Sequence, residues 1–240
     1  QQRQRRMMEW AVKRFWTTSG VEETDGGFSI LLDETPIKTP AKAQIIVPTR
    51  ALAEKIVEEW NAQGEMVDPL AMPYTRMTNS AIDKVRAQYD EVVEQLASYA
   101  ETDHLCYRAD GPEELVIRQN AAWNPLLDWA SECLNARLNT GVGILYVRQP
   151  SESVSNLRGR ISTMSIFSLA AVYDLITISG SFVAALAVIH GHKTVEDIWE
   201  ICQIDEIWQI ERWGTDDLAE AASTQKKHDF SLAASYYSLL

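Results

Sequence analysis

Adjacent carboxylates are the first candidates for chemistry in this chain of 240 residues. Neighbouring residues on a helix point about 100° apart, so an adjacent pair does not converge on one substrate. General acid–base catalysis would need a further carboxylate from another segment. Most acidic pairs lie on solvated faces, and we therefore predict no catalytic residues. The pairs in question are Glu58/Glu59, Asp205/Glu206 and Asp216/Asp217.

Histidines and cysteines offer little support for a metal or a cofactor. His190 and His192 could reach one ion from a loop, but a zinc site needs three or four ligands and no further pattern completes the set. The three cysteines, Cys106, Cys133 and Cys202, are far apart and form no CxxC, which favours buried thiols in a reducing compartment. Glycine-rich phosphate loops and hydrolase motifs do not occur. The sequence thus predicts neither a metal nor a cofactor.

The pair Asp205–Glu206 differs from the others because its helix is apolar almost all round. A helical stripe on this segment combines aromatic and polar residues, namely Trp199, Cys202, Glu206, Gln209 and Trp213. Polar groups in such a stripe must be hydrogen-bonded or lie at a contact surface. Two interpretations therefore stay open. One is a buried polar network between helices, and the other is a recognition patch with tryptophan anchors around a polar centre.

The elements before this segment indicate a small β-rich domain over residues 9–66. Strands are expected at residues 28–32 and near residues 37–40 and 44–48, with prolines confining them to edges or ends. Thr49 can cap a helix over residues 50–62 that covers the sheet. On that helix Glu58 and Glu59 lie away from the centre of the apolar stripe.

The remaining residues, 67–240, are expected to form a larger bundle of crossing helices, so the predicted fold class is α+β. The apolar spacing predicts a helix from Tyr74 to Tyr99, a helix that begins at Pro125, a helix over residues 194–213 and a final helix over residues 216–237. The stretch 165–190 should be one or two helices at the centre. Its charge-free run, 175–189, is shorter than the ~20 residues of a membrane span.

Charge excludes several classes of partner. The formal net charge is −12 and the sequence pI is about 4.8. An acidic body repels nucleic acid and anionic lipid, and no basic stripe appears. The opening residues lack the apolar region of a secretory signal. We therefore expect no nucleic-acid partner and no membrane insertion.

Several segments together resemble one family, the ATP synthase assembly factor 2 family, and they follow its order along nearly the whole chain. The segments are residues 9–16 (EWAVKRFW), 27–40 (GFSILLDETPIKTP), 47–63 (VPTRALAEKIVEEWNAQ), 68–83 (DPLAMPYTRMTNSAID), 99–108 (YAETDHLCYR), 123–129 (WNPLLDW), 180–187 (GSFVAALA) and 205–217 (DEIWQIERWGTDD). No single motif is diagnostic, but the ordered set is specific.

This resemblance implies a chaperone without catalytic activity or cofactor that binds the unassembled α subunit of the ATP synthase catalytic sector and releases it into the α/β hexamer. The free chaperone is expected to be a monomer. A bacterial cytoplasm is favoured, or the mitochondrial matrix if a transit peptide has been removed.

We hypothesise that five residues lie at or beside the contact with the partner: Asp205, Glu206, Trp208, Gln209 and Trp213. Two other functions stay open. They are a hydrolase that uses carboxylates of the helical domain and a general holdase without a preferred client.

Overall fold

The computed structural model describes residues 13–240. Residues 9–12, with which the N-terminal domain was expected to begin, lie outside the described part. By their internal contacts the described residues form two compact units, 13–87 with Leu239 and Leu240, and Gln88–Ser238. The boundary expected after residue 66 stays a prediction, because a division by contacts reports packing and not independent folding. A small strand-bearing unit followed by a mostly helical one confirms the α+β class.

The first unit contains one antiparallel sheet centred on its second strand. Its strands are β1 (Ser19–Thr24), β2 (Gly27–Leu32), β3 (Thr35–Pro36) and β4 (Ile46–Val47). β1 forms a hairpin with β2, and β3 and β4 also pair with β2. Gly27 permits the approach of β4, because a Cβ there would lie 2.3 Å from the backbone oxygen of Val47. The strand at residues 28–32 was predicted, whereas β1 was not.

Helix α1 (Arg50–Asn61) packs on this sheet, as predicted. The Thr49 hydroxyl accepts a hydrogen bond from the amide of Leu52 at 3.2 Å and donates one to the carbonyl of Leu239. Leu52 and Ile56 are completely buried. Trp60, the next residue of the stripe, is only partly buried and meets Trp16 edge-on, with ring centroids 5.1 Å apart.

The expectation that Glu59 is solvated was wrong. Its side chain is buried and its carboxylate caps the next helix, α2 (Pro73–Ser80). The carboxylate accepts hydrogen bonds from the amide of Tyr74 at 2.6 Å and from the amide and hydroxyl of Thr75 at 2.8 and 2.7 Å. Burial raises the pKa of Glu59, against the effect of these donors. The helical stripe misplaced this residue because α2 covers the edge of α1.

The helix expected from Tyr74 to Tyr99 is in fact interrupted. After α2 come a π-helical turn, Ala81–Val85, and three residues before α3 (Tyr89–Glu101) begins. Buried apolar residues continue on both sides of the break, so their spacing could not reveal it.

Helices make up most of the second unit. After α3 they are α4 (Glu113–Leu134), α5 (Ser151–Ile161), α6 (Ile166–Ser179), α7 (Phe182–Ile189), α8 (Val195–Cys202), α9 (Ile204–Trp213) and α10 (Asp217–Ser238). Two short strands, β5 (Tyr107–Arg108) and β6 (Gly141–Val142), pair in parallel. Short 3-10 turns occupy Pro69–Ala71 in the first unit and His104–Cys106 in the second.

Helices α6 and α7 occupy the centre of the second unit, as expected for the apolar stretch. Gly180 separates them with φ +69°, a conformation that favours glycine. Every residue from Phe182 to Ala187 is fully buried. Among the residues described, no helix combines the length and apolarity that a bilayer crossing requires.

Asp103 joins the start of α7 to the preceding 3-10 turn. The carboxylate is completely buried and accepts hydrogen bonds at 3.0 Å from the amide of Leu105, the hydroxyl of Ser181 and the amide of Val183. The Ser181 hydroxyl in turn accepts from the amide of Ala184 at 3.0 Å. One carboxylate therefore satisfies amides at two chain segments.

Two predicted helix boundaries were wrong in opposite directions. No helix begins at Pro125, because α4 runs through it, and the buried side chains of Trp123 and Leu126 hold that helix in the core on both sides of the proline. The helix expected over residues 194–213 is divided at Gln203, where φ −98° and ψ 12° redirect the chain into α9. Both outcomes depend on packing, which local sequence signals do not report.

Candidate interaction surface

A groove of about 840 Å³ runs along α9. One wall is α9 itself, the floor includes the end of α6, and the other wall is the first half of α10. The α10 wall presents Ala219, Ala222, Ser223 and Lys226. Between Asp217 and His228 this helix is exposed at every residue except Ser223, so the groove is open to solvent.

Three of the five hypothesised contact residues share the α9 wall. Glu206, Gln209 and Trp213 all line the groove, and all are exposed. The side chain of Trp213 is 78% exposed at the end of the helix. Placed together, they offer a large apolar ring next to a carboxylate and an amide.

Asp205 points away from this groove. Its carboxylate accepts a hydrogen bond of 2.6 Å from Nε2 of Gln119, a residue of α4 that is 2% exposed. Oε1 of Gln119 accepts another, at 2.9 Å, from the amide of Ala109. Each of the two open interpretations therefore applies to one carboxylate. Asp205 belongs to a polar network between helices, and Glu206 lies at the surface.

Trp208 lies beneath the surface and attaches α9 to α4. Its side chain is 4% exposed, and two guanidinium groups contact its ring. Cζ of Arg118 lies 4.9 Å from the ring centroid, and Cζ of Arg212 lies 4.5 Å away. Such cation–π contacts stabilise by about 0.5–2 kcal/mol each. Trp208 thus supports the helix that carries the exposed residues.

Two ion pairs surround this tryptophan. Arg118 pairs with Glu211 at 2.7 Å, and Arg212 pairs with Glu114 at 2.9 Å. The four side chains are between 47% and 72% exposed, so each pair contributes little, about 0–1 kcal/mol. The orientation of α9 consequently depends mostly on Trp208 and the bond to Gln119. The sequence analysis missed Arg118 and Gln119, because only the tertiary structure brings α4 beside α9.

The cysteine that lines the groove is not an activated nucleophile. Cys202 lines it, but burial raises the pKa of its thiol, and the charges of Asp103 and Glu206 raise it further. A thiol in that state is a poor nucleophile. Across residues 13–240, no three histidines, cysteines or carboxylates gather in a way that could hold a metal ion. The geometry fits the binding of another molecule's surface.

Exposed apolar side chains add to the groove and extend the surface beyond it. Ile210 lines the groove and is 44% exposed. Outside the groove, Ile207 on α9 is 38% exposed and Leu218 at the start of α10 is 84% exposed. Exposed apolar residues rimmed by polar ones are typical of protein interaction sites.

Comparison with known proteins gives one consistent family. The model of the ATP12 chaperone protein family matches residues 13–131. The crystal structure of Atp12 from Paracoccus denitrificans superposes with a TM-score of 0.92 at 42% identity, over 95% of this chain and 97% of that one. The Atu1473 protein from Agrobacterium tumefaciens gives a TM-score of 0.90 at 37% identity, over 95% of this chain and 85% of that one.

A mitochondrial relative extends the comparison to eukaryotes. The protein atp12 of Schizosaccharomyces pombe is 24% identical over 235 residues, which are 92% of this chain and 81% of that protein. The likeness to the Paracoccus protein spans nearly both chains in fold and in sequence. The chain therefore belongs to the ATP12 chaperone family, the ATP synthase assembly factor 2 family.

Proposed function

We propose that this protein binds the unassembled α subunit of the F-type ATP synthase catalytic sector, shields its subunit interface and releases it into the α/β hexamer. It acts by non-covalent binding, without catalysis. The single observation that carries the proposal is the solvent-open groove on α9, where Trp213 stands beside Glu206 and Gln209. Membership of the ATP12 chaperone family supplies the class of client.

The composition of this surface suits a chaperone that must release its client. An isolated subunit exposes apolar surface meant for its neighbour, and such patches aggregate. A mixed polar and aromatic contact binds that surface less tightly than a large dry interface would. Trp213 supplies an anchor, while Glu206 and Gln209 keep their polar groups solvated when the client leaves.

The test is capture of purified α subunit by the Glu206→Lys variant. We expect its dissociation constant to rise at least about tenfold, the effect of losing one important interface contact. Suppression of α-subunit aggregation, followed by light scattering, should weaken in parallel. The melting temperature should not change, because Glu206 is exposed.

Glu132→Lys is the matched control. Glu132 is also exposed and helical, but it does not line the groove. Its charge reversal should leave capture intact. If Glu206→Lys unfolds the protein, the residue is structural; if both variants capture α subunit as well as the parent does, the groove is not the contact.

Other outcomes would identify a different function. Retention of many unrelated proteins would indicate a general holdase. Turnover of a small ester, amide or glycoside would indicate a hydrolase, although Asp205 and Glu206 face different ways. We propose a free monomer that acts where the catalytic sector is assembled, in a bacterial cytoplasm or a mitochondrial matrix, with no nucleic-acid partner.

A further inference from the structure

The end of β6 and the loop that follows it expose several large apolar residues. Val142, Ile144, Leu145 and Tyr146 are 64%, 97%, 80% and 63% exposed. Single exposed apolar residues are ordinary, but four within five positions form a patch. Nothing described so far uses this patch, which we call the β6 tip.

The base of the β6 tip is tied to the body of the second unit. Gly141 lies against Val147 so closely that a Cβ on the glycine would be 2.4 Å from Cγ2 of the valine. The side chain of Gln149 closes the base, accepting from the amide of Asn139 at 2.8 Å and donating to the Asn139 carbonyl at 3.0 Å. The loop therefore holds its apolar side chains outward instead of folding them onto the core.

Gln119 connects this loop to α9. Its oxygen accepts from the amide of Ala109, directly after β5, and its nitrogen donates to Asp205. β5 in turn pairs with β6, which carries the tip. One buried side chain thus positions both exposed surfaces.

The exposed face of α4 adjoins α9 on one flank and β5 on the other. Glu114 and Arg118 pair with α9, whereas Asn120 accepts a hydrogen bond of 3.0 Å from Arg108 of β5. With 100° per residue, Ile117 falls between these two flanks, and its side chain is 58% exposed. An apolar residue therefore bridges the α9 side and the β5 side of the helix.

We propose that the β6 tip is a second contact for the same α-subunit client, reached from the groove around the exposed side of α9 at Ile207 and across Ile117. This inference rests on the proposed function and enlarges its surface. The occupant is the apolar intersubunit face of the client, a partner that offers apolar area over a broad front.

Size and charge favour this occupant over two others. The tip exposes on the order of a few hundred Å², less than the ~800 Å² per partner of a stable protein interface. It is too small to hold a second copy of this chain by itself, but it can extend the groove contact. The net charge of −12 opposes an anionic membrane surface.

The decisive variant is Ile144→Ser/Leu145→Ser, measured for binding of purified α subunit. We expect the dissociation constant to rise about tenfold or more, the effect of losing important interface contacts, with an unchanged melting temperature. The single variant Ile144→Ser removes a side chain that is 97% exposed, so it keeps the test valid if the double variant folds poorly. Leu70→Ser is the control, since Leu70 is 65% exposed in the first unit.

The outcomes separate the inference from the function. If Glu206→Lys weakens binding and the tip variants stay within twofold of the parent, the tip is not a contact although the proposed function stands. If the parent protein does not bind α subunit, the proposed function itself fails. The inference would also be wrong if Leu70→Ser weakened client binding as much as the tip variants do. It would be wrong as well if the tip supported dimerisation, or binding to anionic vesicles, in place of client binding.

Discussion

Removing the carboxylate of Asp103 should be among the most damaging single changes to the second unit. Asp103→Ala deletes the acceptor of three buried hydrogen bonds, from Leu105, Ser181 and Val183. A buried donor left without a partner costs about 1–3 kcal/mol. Loss of these bonds also frees the start of α7, which lies in the core.

The expected magnitude is smaller than the sum over three donors. The native structure already bears the cost of burying a carboxylate, and alanine relieves that cost. The Ser181 hydroxyl can also turn to another acceptor. We therefore expect Asp103→Ala to lower the free energy of unfolding by about 3–5 kcal/mol, within the range for breaking one partner of a buried charged network.

The assay is urea unfolding at pH 7, followed by tryptophan fluorescence, with Ser181→Ala as the comparison. Ser181→Ala removes one bond to Asp103 and the cap on Ala184, and should cost about 1–2 kcal/mol. The two changes share a hydrogen bond, so the double variant should lose less than the sum. A loss below about 1 kcal/mol for Asp103→Ala, or strict additivity, would refute this account of the junction.

The same residue predicts a pH dependence. Burial raises the pKa of Asp103 in the folded state, and the hydrogen bonds from Val183, Leu105 and Ser181 only partly oppose it. The folded state thus binds this proton more tightly than the unfolded state. The stabilisation is complete below the unfolded pKa of about 3.9 and is lost as pH rises through the folded value. Relative to Asp103→Asn, the parent should therefore gain stability as the pH falls toward 4.

Two further substitutions test the supports of the surface and the core. Trp208→Ala should lower the local stability of α9 by about 3 kcal/mol. Amide hydrogen exchange in α9 should then become faster, and capture of the α subunit should weaken. Unchanged exchange there would show that Trp208 does not hold the helix. Trp60→Ala should lower the free energy of unfolding by about 2–3 kcal/mol, below the ~3–5 kcal/mol of a fully buried ring, because Trp60 is only partly buried against Trp16. An unchanged urea midpoint would contradict that account.

Local signals in the sequence were sufficient for much of the fold. The Thr49 cap, the alternation in β2 and the apolar stretch around α6 and α7 all depend on residues a few positions apart. Short-range periodicity therefore predicted a strand region followed by helices, although it missed β1. The ordered set of segments identified the family, because many weak matches in one order are jointly specific.

The same periodicity could not tell which side of a helix would be covered. Glu59 was expected to be solvated, but α2 covers it. The helical stripe of α9 likewise could not show that Asp205 is paired between helices while Glu206 faces the groove. Local signals also failed to predict where helices continue, because α4 passes through Pro125 whereas the helix expected over residues 194–213 is interrupted at Gln203.

The sequence alone determined where most of the helical and extended regions lie, which stretch forms the centre of the helical unit, and to which family the chain belongs. Only the tertiary structure decided that Glu206 and Trp213 share an open groove, that Trp208 is buried in contact with two arginines, and that the β6 tip is left exposed. The physical reason is that backbone hydrogen bonding and apolar spacing act between near neighbours. Burial and pairing depend instead on segments far apart in the chain.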